Sequence, residues 1–186
     1  MAIDLSRKVT KIIHNHPEGI KGAEVTAVAV YMARTGSSIR KIQKYINKHY
    51  YSMDFKLDDI RDSYKYNETC QGTVPQAIEA FLESKNFEDA IRNAISIGGD
   101  SDTLAAITGG IAEVYYGIPT DIREKALTFL DERLLGILLE FGNKYEGLRK
   151  KGTKKLKTKK LDRIHWDLKQ KKAIIEQNLL LLFYEL

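Results

Sequence analysis

Two aspartates at the start of a weakly charged stretch are the residues of this sequence best suited to chemistry. Asp100 and Asp102 follow a Gly-Gly pair, and between positions 103 and 117 the only charged residue is Glu113. A stretch this apolar predicts a helix that is buried on most sides. Two neighbouring carboxylates at the mouth of a buried helix repel each other unless one takes up a proton or both share a cation. The pair therefore needs a partner.

Two interpretations of the aspartates stay open on residue chemistry. Asp100, Ser101, Asp102 and Thr103 are residue types that cap helices by accepting hydrogen bonds from free backbone N–H groups. Capping accounts for one carboxylate better than for two. Asp100 and Thr103 are three residues apart and face the same way on a helix. With Asp102 they would form an all-oxygen set that suits magnesium, calcium or manganese. The residue types favour the cap and the metal site about equally.

A second candidate is the segment HNHPEGIKGAE, residues 14–24. His14 and His16 have the spacing of metal ligands, but neither a cysteine cluster nor an HExxH motif accompanies them, which disfavours zinc. Glycines in the segment would let a phosphate or sugar approach, with one of the histidines as a hydrogen-bond donor. Capping of the local backbone is the simpler interpretation. Cys70 has no activating neighbour in the sequence, which favours a structural role.

The composition is typical of one globular domain rather than a disordered or membrane-spanning chain. The 186 residues are 43% hydrophobic and 30% charged, with 3 prolines. A single cysteine excludes an intramolecular disulfide and predicts a reducing, cytoplasmic location. The N-terminus lacks the apolar core of a secretory signal. No stretch approaches the ~20 apolar residues needed to cross a membrane.

The positive charge is concentrated in one segment. The net charge is +5, but RKKGTKKLKTKK, residues 149–160, holds eight basic residues and no acidic one, so the rest of the chain carries −3. Such a run is most simply a solvated linker. A nucleic-acid partner that binds this segment is the less favoured interpretation.

Helical periodicity dominates the elements that must position these residues, so we expect an all-α fold. Apolar residues recur at helical spacing in residues 5–13, and the motif Pro17 to Gly19 predicts a break after them. Thr73 and Asn86 are predicted helix caps, and a break is predicted near Gly136. The predicted organisation is a helical domain over 1–148, a basic linker over 149–160 and a C-terminal helix over 161–186.

Three segments in this order carry a family resemblance: HNHPEGIKGAE, CQGTVPQAIEAFL and NFEDAIRNAISIGGDSDTLAAITGGIAEVYYG. Together they resemble the ADP-ribosylglycohydrolases, the family that includes dinitrogenase reductase-activating glycohydrolase, over residues 5–145. The Gly-Gly-Asp-x-Asp-Thr run is the most specific element. The resemblance implies a compact multi-helix fold with a pair of magnesium or manganese ions at the base of a cleft. It also implies hydrolysis of the bond that joins ADP-ribose to a protein side chain or a small molecule.

The resemblance assigns roles to two groups of residues. Asp100, Asp102 and Thr103 match the C-terminal half of the metal site, where the metals would orient the ribose hydroxyls and a water molecule. His14, with Asn15 and His16, matches the loop that lines the ADP-ribose pocket. The threonine usual before this loop is replaced by isoleucine.

The N-terminal half of the family domain has no match in this sequence. Its Thr-Asp-Asp run provides the other metal ligands, whereas Asp58–Asp59 follows a leucine and Thr120–Asp121 lacks a second aspartate. We therefore expect an N-terminally truncated domain with about half of the metal site and no assignable catalytic residue. Its expected partners are an ADP-ribosylated substrate, a complementary N-terminal fragment or a second copy of the chain. The alternatives are an inactive fragment that binds ADP-ribose or serves as an interaction module, and a nucleic-acid-associated helical protein.

Overall fold

The computed structural model describes residues 2–144, and within this range all regular secondary structure is α-helical, which confirms the all-α prediction. The predicted boundaries after residues 148 and 160 and the predicted helix over 161–186 lie outside the described residues. The helices are α1 (Ala2–Ile13), α2 (Pro17–Arg34), α3 (Ile39–His49), α4 (Leu57–Ile60), α5 (Cys70–Leu82), α6 (Phe87–Ser96), α7 (Ser101–Tyr116), α8 (Thr120–Leu127) and α9 (Glu132–Lys144).

The chain divides into two compact units at the Pro119–Thr120 bond. Unit 1 contains α1 to α7 and therefore all of the candidate site residues. Unit 2 begins with α8, and its described part ends with α9. In the part of the chain that the structure covers, no helix has both the length and the apolar character required to cross a membrane.

The first turn of α2 corrects one prediction. The break after α1 falls where it was predicted, at residues 14–16, but Pro17 and Gly19 are not part of it: they lie inside α2, which begins at the proline. A proline at the first helical position loses no hydrogen bond, because that N–H has no helical acceptor. His16 has an extended backbone and caps the helix, its Nδ1 accepting a hydrogen bond from the Glu18 N–H at 3.2 Å. The loop between α1 and α2 is therefore shorter than predicted.

Two other helix ends differ from prediction because a nearby side chain caps the backbone earlier. The cap of α5 is Thr69 rather than Thr73, since its Oγ1 accepts from the Gly72 N–H at 3.2 Å. Gly136 lies within α9, and the break before this helix falls at residues 128–131. There the Asp131 carboxylate accepts from the Leu134 N–H at 2.7 Å. The predicted cap at Asn86 is confirmed.

The core of unit 1 forms where α7 packs against α5, α6 and α2. Alanines on α5 and α6 let Leu104 of α7 approach closely, and the leucine is fully buried. Thr108, one turn further along α7, is buried too and donates a hydrogen bond from Oγ1 to the Ala77 carbonyl oxygen at 2.7 Å. Tight packing and an internal hydrogen bond together fix the position of α7. The buried alanines are Ala77, Ala80 and Ala94.

One face of α7 is open to solvent, so the prediction of a helix buried on most sides is wrong for that face. The helix buries Leu104, Thr108, Ile111 and Ala112 on its packed side. The exposed residues recur every three or four positions, which places them on one face of the helix. They are Asp102, Thr103, Ala106, Gly110 and Glu113.

Helix α1 contacts α2 but buries none of its own residues. The Arg7 guanidinium donates from Nε to Glu24 Oε1 at 2.6 Å, which joins the two helices through a nearly buried carboxylate. Four large apolar side chains of α1 lie on another face and are 57–84% exposed. We call this surface the α1 apolar face; it consists of Leu5, Val9, Ile12 and Ile13.

A buried carboxyl group ties the segment before α4 to α5. Glu79 of α5 is fully buried, and the Lys56 Nζ donates to its Oε1 at 2.9 Å. One turn later, Glu83 Oε1 accepts from the Leu57 N–H at 2.9 Å. Burial raises the pKa of Glu79, although the lysine opposes this effect.

The raised pKa of Glu79 predicts a pH dependence of stability. Because the folded state holds this proton to higher pH than the unfolded state, the free energy of unfolding falls as pH rises above the ordinary pKa of 4.5. We expect the Glu79→Gln variant to lose less stability than the wild type between about pH 5 and about pH 8. Urea unfolding across this range measures the difference. The exposed Glu88→Gln variant is the control. If the free energy of unfolding of Glu79→Gln falls with pH as steeply as that of the wild type, the prediction is wrong.

Candidate functional site

A glycine turn places Asp100 and Asp102 at the start of α7. Gly98 and Gly99 both have positive φ angles, of 74° and 65°, and the helix begins at Ser101. Asp100 occupies the capping position, but its side chain makes no capping hydrogen bond. Instead its carboxyl group interacts with that of Asp102, and this interaction, together with the backbone N–H groups of Thr103 and Asp102, lowers the pKa of Asp102. Capping therefore does not account for Asp100, whereas two carboxyl groups this close can share a proton or a cation.

The two aspartates are accessible from solvent. Asp102 and Thr103 are exposed and Asp100 is half-buried, so a ligand could reach all three side chains. This differs from the expectation of a carboxylate pair at a buried position, because the exposed face of α7 begins with Asp102 and Thr103.

Two tyrosines of the loop before α5, Tyr64 and Tyr66, lie near the aspartates and were not among the predicted site residues. The Tyr64 ring lies against Gly99, and its hydroxyl donates to the Gly72 carbonyl oxygen at 3.0 Å. Tyr66 is 64% exposed, and the charges of Glu68, then Asp100 and Asp102, raise its pKa. No local sequence pattern shows this arrangement, since it results from packing between distant segments. The only signal was an unassigned loop rich in tyrosine, YKYNET.

The donor atoms of the aspartate pair suit a hard cation but supply only part of a ligand set. Two carboxylates and the Thr103 hydroxyl are oxygen ligands, which magnesium and manganese prefer. In residues 2–144, no three His, Cys, Asp or Glu side chains are grouped so as to hold a metal ion. An ion at Asp100 and Asp102 would thus take its other ligands from water, substrate or another polypeptide segment.

The histidine loop is exposed, and its interactions are local. His14, Asn15 and His16 connect α1 to α2, and all three are exposed. His16 serves as the cap of α2, which was the simpler of the two interpretations. Among the described residues, no hydrogen bond or ion pair joins this loop to the aspartates.

Two close approaches show that α2, α5 and α7 begin at the same end of unit 1. A Cβ atom on Gly22, in the second turn of α2, would lie 3.2 Å from the Sγ atom of Cys70, the first residue of α5. Tyr64 links Gly72 in the first turn of α5 with Gly99 just before α7. The positive ends of three helix dipoles thus lie at one end, an arrangement that favours an anionic ligand.

In its described residues the protein is thus an all-α protein with an oxygen-rich site at the start of α7. The family model for ADP-ribosylglycohydrolase matches residues 1–150, so this chain belongs to the ADP-ribosylglycohydrolase family.

Two similar proteins agree with this assignment. The ADP-ribosylarginine hydrolase Tri1 of Pseudomonas putida (strain GB-1) is 28% identical in an alignment of 124 residues, and the match covers 59% of this chain and 31% of the relative. A solved structure described as an ADP-ribosylglycohydrolase-related protein complex matches with a TM-score of 0.50 and 25% identity. That match covers 63% of this chain and 45% of the solved chain. The chain thus spans about a third of the curated relative.

The turn before α7 predicts different outcomes for alanine at its two glycines. At both positions alanine would adopt a left-handed conformation that costs about 1–2 kcal/mol. A Cβ on Gly98 meets no atom within 4 Å, whereas one on Gly99 would lie 2.6 Å from Tyr64 Cε1. We expect Gly99→Ala to lower the free energy of unfolding more than Gly98→Ala does, as measured in urea. Equal losses would mean that Tyr64 is not held against the turn.

Proposed function

We propose that this chain supplies one part of the active site of a magnesium- or manganese-dependent ADP-ribosyl hydrolase. The observation that carries the proposal is the contact between Asp100 and Asp102 in the Gly-Gly-Asp-Ser-Asp-Thr turn of a family domain. These aspartates and Thr103 would hold part of a two-metal site. His14, Asn15 and His16 would contact ADP-ribose.

The substrate would be ADP-ribose linked to a protein side chain or a small molecule. The Pseudomonas putida relative is named an ADP-ribosylarginine hydrolase, which supports arginine as one acceptor to test. The helix ends at this side of unit 1 would favour the diphosphate. When bound, the metals would supply Lewis-acid chemistry at the ribose and at a water molecule.

Two solvent-exposed surfaces support the proposal that the rest of the family domain is needed for activity. The α1 apolar face presents four large aliphatic side chains to solvent. The exposed face of α7 presents small residues beside the aspartates. Contiguous apolar surface like that of α1 is typical of sites that another polypeptide covers. A complementary segment with further acidic residues would cover these faces and complete the metal ligands.

A second candidate function is an inactive module that binds ADP-ribose or a protein partner. The incomplete metal ligand set of the described residues favours it. A nucleic-acid role for residues 149–160 stays a prediction, since that segment lies outside the described residues. Steep salt dependence of binding, lost on removal of the segment, would support that role. The cytoplasmic location also stays a prediction; Cys70 is a free thiol in the structure.

Metal binding at Asp100 and Asp102 predicts that magnesium or manganese raises the melting temperature of the protein. A ligand that binds only the folded state raises the melting temperature by roughly 5–10 °C when it exceeds its Kd about a hundredfold. We expect magnesium or manganese to raise the melting temperature of the wild type. The double variant Asp100→Asn/Asp102→Asn should show no such rise, because amide oxygens carry no charge to hold the ion.

The matched control is Asp62→Asn, which removes an exposed carboxylate elsewhere in unit 1. It should respond to metal like the wild type. A wild type that responds to ADP-ribose but not to either metal would favour the binding module. Equal metal shifts in all three proteins would place the ion at another site.

If a complementary segment completes the site, its addition should give the chain hydrolase activity. We expect the chain to release ADP-ribose from an ADP-ribosylated arginine peptide when mixed with a polypeptide that carries the rest of a family domain. Ile12→Asp should weaken the recovery, because it places a charge in the α1 apolar face. Lys11→Asp, a neighbouring exposed position, should leave recovery nearly unchanged. The proposal fails if the mixture has no activity or if both variants recover equally.

A further inference from the structure

The segment between α4 and α5 is anchored on both sides of Tyr66, beside the turn that precedes α7. A Cβ atom on Gly99 would lie 3.2 Å from the backbone carbonyl oxygen of Lys65, so the chain passes next to this turn. On the other side of Tyr66, the Asn67 carbonyl oxygen accepts a hydrogen bond from Oγ1 of the buried Thr73 at 2.8 Å. Tyr66 is therefore held in place by its two neighbours in the chain.

The Tyr66 side chain lies near three carboxyl groups and is still 64% exposed. The charge of Glu68 is the largest cause of its raised pKa, and the charges of Asp100 and Asp102 add to it. Glu68 is exposed too, and it lies outside the proposed set of metal ligands. A ligand at the aspartates could thus reach an aromatic ring and a further carboxylate.

An aromatic ring beside a carboxylate suits a cation, and a guanidinium in particular. A guanidinium is attracted to the face of a tyrosine ring, and its planar N–H groups pair with a carboxylate. The acidic groups around Tyr66 disfavour a diphosphate at the same place, because like charges repel. In the proposed reaction, the arginine guanidinium is bonded directly to the anomeric carbon of the ribose. It must therefore lie next to Asp100 and Asp102 when the ribose is held there.

We propose that Tyr66 and Glu68 bind the guanidinium of an ADP-ribosylated arginine, with the tyrosine ring against the cation and the carboxylate paired to it. The inference rests on the proposed function, since it places the ribose at Asp100 and Asp102. It makes the two residues determinants of acceptor specificity. A serine acceptor carries no positive charge and gains nothing from either side chain.

Isothermal titration calorimetry of the full chain with magnesium tests the inference with three ligands. They are free ADP-ribose, a peptide ADP-ribosylated on arginine, and the same peptide ADP-ribosylated on serine. We expect the wild type to bind the arginine-linked peptide about tenfold more tightly than the serine-linked one. Tyr66→Leu and Glu68→Gln should each reduce this preference about threefold and leave the affinity for ADP-ribose unchanged. Tyr66→Phe should keep the preference, because its ring still offers an electron-rich face to the cation.

Two matched controls remove the same residue types away from the site. Tyr31, which is exposed, lies about 20 Å along α2 from the start of that helix. Glu88, also exposed, lies in the first turn of α6, whose other end precedes the glycine turn. Tyr31→Leu and Glu88→Gln should bind all three ligands like the wild type.

The three ligands separate failure of this inference from failure of the proposed function. If the wild type binds ADP-ribose but binds the two peptides equally well, the inference is overturned and the proposed function stands. Equal weakening of all three ligands by Tyr66→Leu would mean that the ring contacts the nucleotide, which overturns the inference as well. A wild type that binds none of the ligands contradicts both.

Discussion

The close approach of α7 to α5 and α6 is the constraint on which the rest of unit 1 depends. Alanines at the contact leave no side chain to hold the helices apart, so Leu104 and Thr108 reach the core. Thr108 is fully buried there, and its hydroxyl donates to the Ala77 carbonyl oxygen at 2.7 Å. This packing fixes the start of α7, and with it the turn that carries the aspartates. The candidate site thus depends on core packing, which fixes α7, as well as on the glycine turn that precedes the helix.

The same packing explains why the site is open. Unit 1 uses one side of α7 for its core and leaves the other side, with its small residues and Asp102, exposed. A polar site and an uncovered apolar surface on one unit are consistent with a domain that functions together with further polypeptide. The chain spans 31% of one similar protein and 45% of another.

Local patterns predicted the helices well but several helix starts less well. Whether Thr69 or Thr73 caps α5 depends on which hydroxyl meets a free N–H group, and both residue types fit the rule. Pro17 breaks a helix in its interior yet favours the first position, so its effect depends on a cap one residue earlier. In the site, the sequence indicated the aspartates and the histidine loop. It could not indicate Tyr64 or Tyr66, which meet the α7 turn from more than thirty positions away.

The sequence by itself determined the helical class, the family and the residues proposed to bind a metal. Helical periodicity and a specific motif are both local properties of the chain, so they can be read without the fold. Only the tertiary structure decided that Asp100 makes no capping hydrogen bond and that the Tyr64 ring lies against Gly99, because both depend on how distant segments pack around the turn. It also decided which faces of α1 and α7 meet water. Burial is a property of packed neighbours, and the same apolar pattern fits a covered face and an exposed one.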